Sequence, residues 1–167
     1  MEYTHPYDSP LGAITLASDG EALTGLWFGG QRYFASTLTE EHKERDLPVF
    51  EQTAAWLDLY FSGKRPDFTP PLRPRGSVFR RAVWELLLAI PRGETTTYGQ
   101  LAAALEARTG RRVSARAVGG AVAHNPISLI IPCHRVLGAD GSLTGYAGGT
   151  ERKLRLLRLE GADAPLS

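Results

Sequence analysis

The sequence predicts an α+β fold in two parts: an antiparallel sheet with at least one helix over 1–76, then a mostly helical part over 77–167. Three observations predict it. Apolar runs alternate with turn residues near the N-terminus, a stretch with four prolines and little periodicity occupies 64–76, and three helical patterns follow in an arginine-rich segment. A chain of 167 residues suits one ordinary domain or two small ones, and a hydrophobic content of 43% supports a genuine core.

Near the N-terminus, Ala13-Ile14-Thr15-Leu16-Ala17 and Leu23-Thr24-Gly25-Leu26-Trp27-Phe28 flank Ser18-Asp19-Gly20. Asp-Gly between apolar runs is a strong hairpin signal. Over 49–62, Phe50, Ala54, Leu57 and Phe61 share a helical face, and Gly63 is the natural residue just past its end. The prolines of 64–76 then read as a linker. Ser77 reads as the N-cap of a helix with Phe79, Val83, Leu86, Leu87 and Ile90 toward a core, ending before Pro91-Arg92-Gly93.

A second helix runs from about Thr97 through Leu101 and Leu105 until polar 107–112 breaks it. The third starts near Ser114, repeats Ala115, Val118, Gly119 and Val122 at helical spacing, and stops before Asn125-Pro126. Helix, turn and helix among arginines outline a helix-turn-helix. Gly119-Gly120 inside a helix costs roughly 1 kcal/mol each relative to alanine, which makes sense where another backbone, protein or nucleic acid, approaches closely. Arg116 projects off the packed face, either as a plain surface residue or as a probe of a groove. Leu129-Ile130-Ile131 reads as a buried strand that delivers Cys133 at its end. Gly148-Gly149 reads as a turn into a helix from Thr150, with Arg152 and Lys153 facing solvent or phosphate.

The net charge of +1 hides an asymmetry. Residues 1–76 carry 7 Lys/Arg against 11 Asp/Glu, a net of −4; residues 77–167 carry 12 against 7, a net of +5, and 11 of the 12 cations are arginine. The second part is therefore the one suited to a polyanion. The N-terminus has no basic leader before an apolar run, and no stretch approaches the ~20 apolar residues of a membrane span. Cys133 is the only cysteine, so an internal disulfide and a cysteine-rich metal site are excluded, and an intracellular, reducing compartment is expected.

That thiol is either an inert buried group or a reactive one. Pro132 fixes the backbone before it, His134 can serve as its base, Arg135 can lower its pKa, and the glycine-rich 145–149 stretch suits a pocket wall. Pro132-Cys133-His134-Arg135-Val136, with Arg116-Ala117-Val118-Gly119-Gly120 and Asn125-Pro126 upstream, resembles the O6-alkylguanine-DNA alkyltransferases, densely over 77–161 and more loosely at Ser9-Pro10-Leu11-Gly12.

The resemblance implies a ribonuclease H-like first domain and a winged helix-turn-helix second domain. It implies direct, stoichiometric reversal of O6-alkylguanine, and less efficiently O4-alkylthymine, in double-stranded DNA. Cys133 would accept the alkyl group, His134 would take its proton through a water, and Glu160 would orient the imidazole. Tyr98 would donate to the guanine ring, the carbonyls of Cys133 and Val136 would read the exocyclic amine, and the Ala147 N–H would meet the O6 oxygen. Arg116 would fill the space left by the everted nucleotide. Ala115, Gly119, Gly120, Asn125, Arg135 and Tyr146 would serve DNA binding from the minor groove, Asn125 as a hinge between recognition helix and active-site strand.

A monomer, a cytoplasmic location, no cofactor and no membrane are expected; some relatives hold zinc on paired cysteines that this chain lacks, so no metal is expected either. Between Tyr98 and Arg116 there are about four more residues than the family leads one to expect, through 106–112. The rival readings are a non-catalytic binder of alkylated DNA, against which the acceptor Cys133 argues, and a thiol hydrolase, which would require turnover. An unperturbed thiol of pKa ~8.5 is roughly 3% ionised at pH 7, so full ionisation would gain only about 30-fold. Most acceleration must come from holding sulfur against carbon and from stabilising the leaving base.

Overall fold

The computed structural model describes residues 1–162. Its contacts divide the chain into two compact units, Met1–Arg75 with Pro126–Ile130, and Gly76–Asn125 with the chain from Ile131 onward. Residues 163–167 of the predicted second part lie outside the described residues.

In the first unit β1 (Glu2–Ser9), β2 (Gly12–Ser18) and β3 (Leu23–Phe28) form an antiparallel meander, and β4 (His42–Glu44) joins the other side of β1 in parallel. The expected hairpin is present. The Asp19 carboxylate accepts from the N–H groups of Glu21 and Ala22, each at 3.0 Å, and pairs with Arg73, while Gly20 takes a φ of 109°. β4 escaped the sequence reading because its three polar residues are exposed and carry no apolar alternation.

Helix α1 (Pro48–Phe61) follows the predicted bounds closely, but its buried face is Val49, Phe50, Thr53, Trp56, Leu57 and Tyr60. Ala54 and Phe61 are only half buried, because the large rings of Trp56 and Tyr60, stacked at 5.2 Å, turn the helix toward themselves. Pro126–Ile130 lies along β3: the Leu26 N–H donates to the Pro126 carbonyl at 2.8 Å and the Ser128 N–H to the Leu26 carbonyl at 3.0 Å.

The second unit holds α2 (Val78–Leu88), β5 (Thr96–Thr97), α3 (Tyr98–Thr109), α4 (Ala115–Ala123), a single 3-10 turn at Cys133–Arg135, β6 (Val136–Leu137) and α5 (Thr150–Leu159). β5 and β6 pair in parallel. Ser77 is the expected N-cap, and the next two helices start where expected, each behind a cap of its own. Ser77 accepts from the Arg80 N–H, Thr97 and Gln100 form a reciprocal capping box, and Ser114 accepts from the Ala117 N–H. α2 buries Val83 and Leu87 as expected, and Trp84 in place of Phe79 and Leu86. Phe79 is 36% exposed and Leu86 half buried, because Trp84 fills the core and donates its indole N–H to the Ala121 carbonyl at 2.8 Å. Among the described residues no helix is long and apolar enough to cross a membrane.

Candidate active site

The segment before the thiol is not the predicted strand. The Ile130 N–H bonds the Ser128 carbonyl, the Cys133 N–H bonds the Ile131 carbonyl, and Leu129 takes a φ of 71°. These are tight turns, and an apolar run buried in turns looks like a strand from composition alone. They deliver Cys133 to the start of the 3-10 turn, so that Cys133 and His134 point into the second unit, 3% and 0% exposed. Asn125 follows α4 and ties it to this turn, its side-chain amide donating to the Ile131 carbonyl at 2.8 Å.

His134, Arg135 and Glu160 form one buried cluster. His134 Nε2 lies 2.6 Å from Glu160 Oε2, and Arg135 Nε donates to Glu160 Oε1 at 2.8 Å. Arg135 also donates from Nη2 to Oε2 at 3.2 Å and from Nη1 to the Ile90 carbonyl at 2.6 Å. A carboxylate only accepts, so the histidine proton sits on Nε2 and Nδ1 keeps its lone pair. Nδ1 is buried and has no hydrogen-bond partner among the described residues. A neutral imidazole with a free lone pair beside a thiol is a general base in waiting.

Burial and hydrogen bonding set the ionisation of the cluster. Burial would raise the Glu160 pKa, but the bonds from His134 and Arg135 override it and hold the carboxyl well below the usual carboxylate range. Burial lowers the His134 pKa despite the carboxylate beside it, so the imidazole is neutral at neutral pH. Burial pushes the Cys133 thiol up to about 11, against the Asn125 amide, the Lys153 ammonium and the N–H groups of Cys133 and His134. The thiol is therefore protonated at rest. Arg135 does not lower the thiol pKa as expected, because its charge is spent on Glu160.

Lys153 corrects the sequence reading most sharply. Instead of facing solvent or phosphate, it is fully buried, its Nζ 3.4 Å from the Thr144 carbonyl. Burial pushes its pKa down to about 8, and a negative charge on Cys133 would raise it again. The same Thr144 carbonyl accepts the Tyr98 hydroxyl at 2.9 Å. Burial raises the Tyr98 pKa, so its hydroxyl stays a proton donor. The only prior signal for Lys153 was its place in α5 beside buried Leu156 and Leu157, and in a segment with four cations that signal is weak.

Two residues expected at the DNA surface are elsewhere. Arg135 is buried in its ion pair with Glu160, and Tyr146 is 5% exposed with its ring edge-on to His134 at 6.4 Å. Both are held by the cluster that fixes the imidazole. Val136 and Ala147 are also buried, and the Val136 N–H donates to the Cys133 carbonyl. Ala115, Arg116 and Gly120 are exposed along α4, and Gly119 is half exposed. A methyl group on Gly119 would meet the Tyr98 ring at 3.8 Å, an ordinary contact, and one on Gly120 would meet nothing within 4 Å. Packing inside the chain therefore gives neither glycine a reason to be there. Among the described residues no group of three or more His, Cys, Asp or Glu side chains could hold a metal ion.

A shielded thiol, a neutral imidazole oriented by a carboxylate, and a small-residue helix in a helix-turn-helix unit define a thiol-acceptor protein of the nucleic-acid-binding class. Residues 78–162 match the 6-O-methylguanine DNA methyltransferase DNA binding domain, and residues 3–74 match the ribonuclease-like domain of the same enzymes. The chain is 45% identical to the methylated-DNA–protein-cysteine methyltransferase of Haemophilus influenzae over 96% of this chain and 86% of that protein. Among solved structures, the O6-methylguanine methyltransferase of Mycobacterium tuberculosis has a TM-score of 0.81 at 43% identity, covering 100% of this chain and 97% of that one. A crystal structure of Mycobacterium tuberculosis OGT in complex with DNA has a TM-score of 0.82 at 42% identity, over 98% and 96% of the two chains. The chain belongs to the methylated-DNA–protein-cysteine methyltransferase family.

Proposed function

We propose that Cys133 is the alkyl acceptor in repair of O6-alkylguanine, and of O4-alkylthymine less efficiently, in double-stranded DNA. The carrying observation is that the one thiol of the chain shares a buried site with a neutral imidazole whose free nitrogen is set by Glu160. A sulfur–carbon bond forms as the carbon–oxygen bond of the lesion breaks. The thiol proton passes through a bridging water to His134 Nδ1, and the resulting imidazolium is stabilised by Glu160. The departing guanine takes up negative charge, which Tyr98 relieves by exchanging its bond to the Thr144 carbonyl for one to the ring. The carbonyls of Cys133 and Val136 and the N–H of Ala147 hold the base.

A base inside a duplex cannot reach a buried sulfur, so the nucleotide is everted. The exposed Ala115, the half-exposed Gly119 and the exposed Gly120 let the minor groove approach the α4 backbone, and Arg116 takes the vacated place in the stack. Asn125 transmits the position of α4 to the turn bearing Cys133. The product is a thioether, and with no second cysteine in the chain to displace it, each molecule reacts once. The protein works as a monomer in the cytoplasm, where DNA is at hand and the thiol stays reduced.

The test is intact-protein mass after incubation with a methylated duplex. Wild type gains one methyl per chain and Cys133→Ala gains none. Repeated turnover with an unmodified protein would establish a hydrolase instead.

A further inference from the structure

The long turn between α3 and α4 carries a charged cluster that the alkyl transfer does not use. Its geometry is fixed from within. Gly110 takes a left-handed φ of 68° and donates its N–H to the Glu106 carbonyl at 2.8 Å. The Glu106 carboxylate accepts the Val113 N–H at 2.8 Å, and Thr109 Oγ1 accepts the Arg111 N–H at 3.3 Å. The turn is thus ordered, and the acid closest in sequence is engaged by the backbone.

Arg108, Arg111, Arg112 and Arg116 are all exposed, and among the described residues none of their guanidinium groups has an ion pair or a hydrogen bond. Residues 106–116 hold these four cations against Glu106 alone, a net of +3. Like charges this close repel one another in the free protein. Such repulsion is relieved by a polyanion, and the planar guanidinium fork fits phosphate oxygens in pairs.

We infer that Arg108, Arg111 and Arg112 form a phosphate-binding patch that grips the DNA backbone, adding affinity that does not depend on the lesion. The inference rests on the repair reading for its partner, and it goes beyond that reading in naming a contact of this chain's own turn. No atom of the everted base is involved.

The experiment measures the affinity of the full chain for an undamaged and a methylated duplex across a salt series, by fluorescence anisotropy. Each phosphate contact contributes about 0.9 to the slope of log affinity against log salt, so Arg111→Ala with Arg112→Ala should lower the slope by about 1.8. Between 50 and 200 mM salt the variant then loses roughly tenfold less affinity than wild type. Arg111→Lys with Arg112→Lys should keep most of the slope. Both substitutions are at exposed side chains, and unchanged thermal melting verifies the fold. An unchanged slope in the alanine variant, or a loss confined to the methylated duplex, overturns the inference. Methyl uptake by wild type is read separately by mass, so failure of the repair reading and failure of the patch are distinguishable.

Discussion

Replacing Glu160 with Gln perturbs the site at a group that touches neither the sulfur nor the alkyl carbon. In the native cluster the carboxylate, 2.6 Å from His134 Nε2, keeps the imidazole hydrogen on that nitrogen and leaves Nδ1 to accept. A glutamine can present its own N–H to Nε2, which favours the tautomer with Nδ1 already protonated. Such a ring cannot take the proton of Cys133. Even with the amide oxygen facing the ring, the imidazolium loses a charged partner, and charge-assisted bonds exceed neutral ones by about 1–2 kcal/mol. Adding the cost of the wrong tautomer gives about 3–5 kcal/mol, or roughly a hundred- to several-thousand-fold in rate.

Arg135, whose side chain is 12% exposed, would keep its bond to the Ile90 carbonyl and its Nε bond to the glutamine oxygen but lose the carboxylate charge, so a stability loss of about 3 kcal/mol should accompany the change. The assay is single-turnover methyl uptake from a saturating methylated duplex, well below the melting temperature of the variant, with Glu160→Asp as the charge-retaining control. A variant that is folded and reacts within threefold of wild type refutes the role given to Glu160.

Three further outcomes follow from the same geometry. Lys153→Met removes the buried ammonium that favours the thiolate and should slow methyl uptake by about 10- to 100-fold. The wild-type rate should also stop rising near pH 8, where Lys153 sheds its proton, whereas the variant should climb with thiol ionisation; superimposable pH profiles defeat this reading. Tyr98→Phe removes the hydroxyl that relieves charge on the leaving base and should lower the rate by roughly 10- to 100-fold in the same single-turnover measurement; an unaltered rate excludes it as the donor. Glu160 has a folded pKa below its unfolded value, so its stabilisation is present above the ordinary carboxylate pKa and lost as pH falls below it. Melting temperatures measured downward from pH 6 should therefore fall more steeply for wild type than for Glu160→Gln, and parallel curves contradict the linkage.

How much of this was legible in the sequence depended on whether the signal was local. Ser77, Thr97 and Ser114 announced their helices because a cap is a bond between neighbours in the chain. Asp19-Gly20 announced its hairpin for the same reason. The faces of α1 and α2 were misjudged where a tryptophan, amphipathic by nature, took the buried position from a smaller residue. The sites of Arg135, Tyr146 and Lys153 were misplaced because their partners, Glu160, His134 and Thr144, lie 25, 12 and 9 residues away, joined only by the fold. A charged side chain reads as exposed until such a partner is known. Glu160, by contrast, was found through the resemblance, since its own neighbourhood suggests only a surface acid.

The raised pKa of Cys133 looks at first like a handicap for a nucleophile. Moving the thiol from its ordinary ~8.5 to about 11 lowers the thiolate population roughly 300-fold. A more basic thiolate is also a better nucleophile, by roughly ten- to twentyfold over that range. The net loss of unassisted reactivity is therefore only about 20- to 30-fold, or roughly 2 kcal/mol. Holding a bound base against the sulfur is worth about 7–11 kcal/mol, far more than that loss. Burial also removes the water that would weaken Lys153 as a charge stabiliser. A protein that can react only once loses its function with any stray alkylation or oxidation of this sulfur. A protonated, shielded thiol, with its base and its cation already in place, ties activation to arrival of the substrate, and that explains why burial rather than standing ionisation is built into the site.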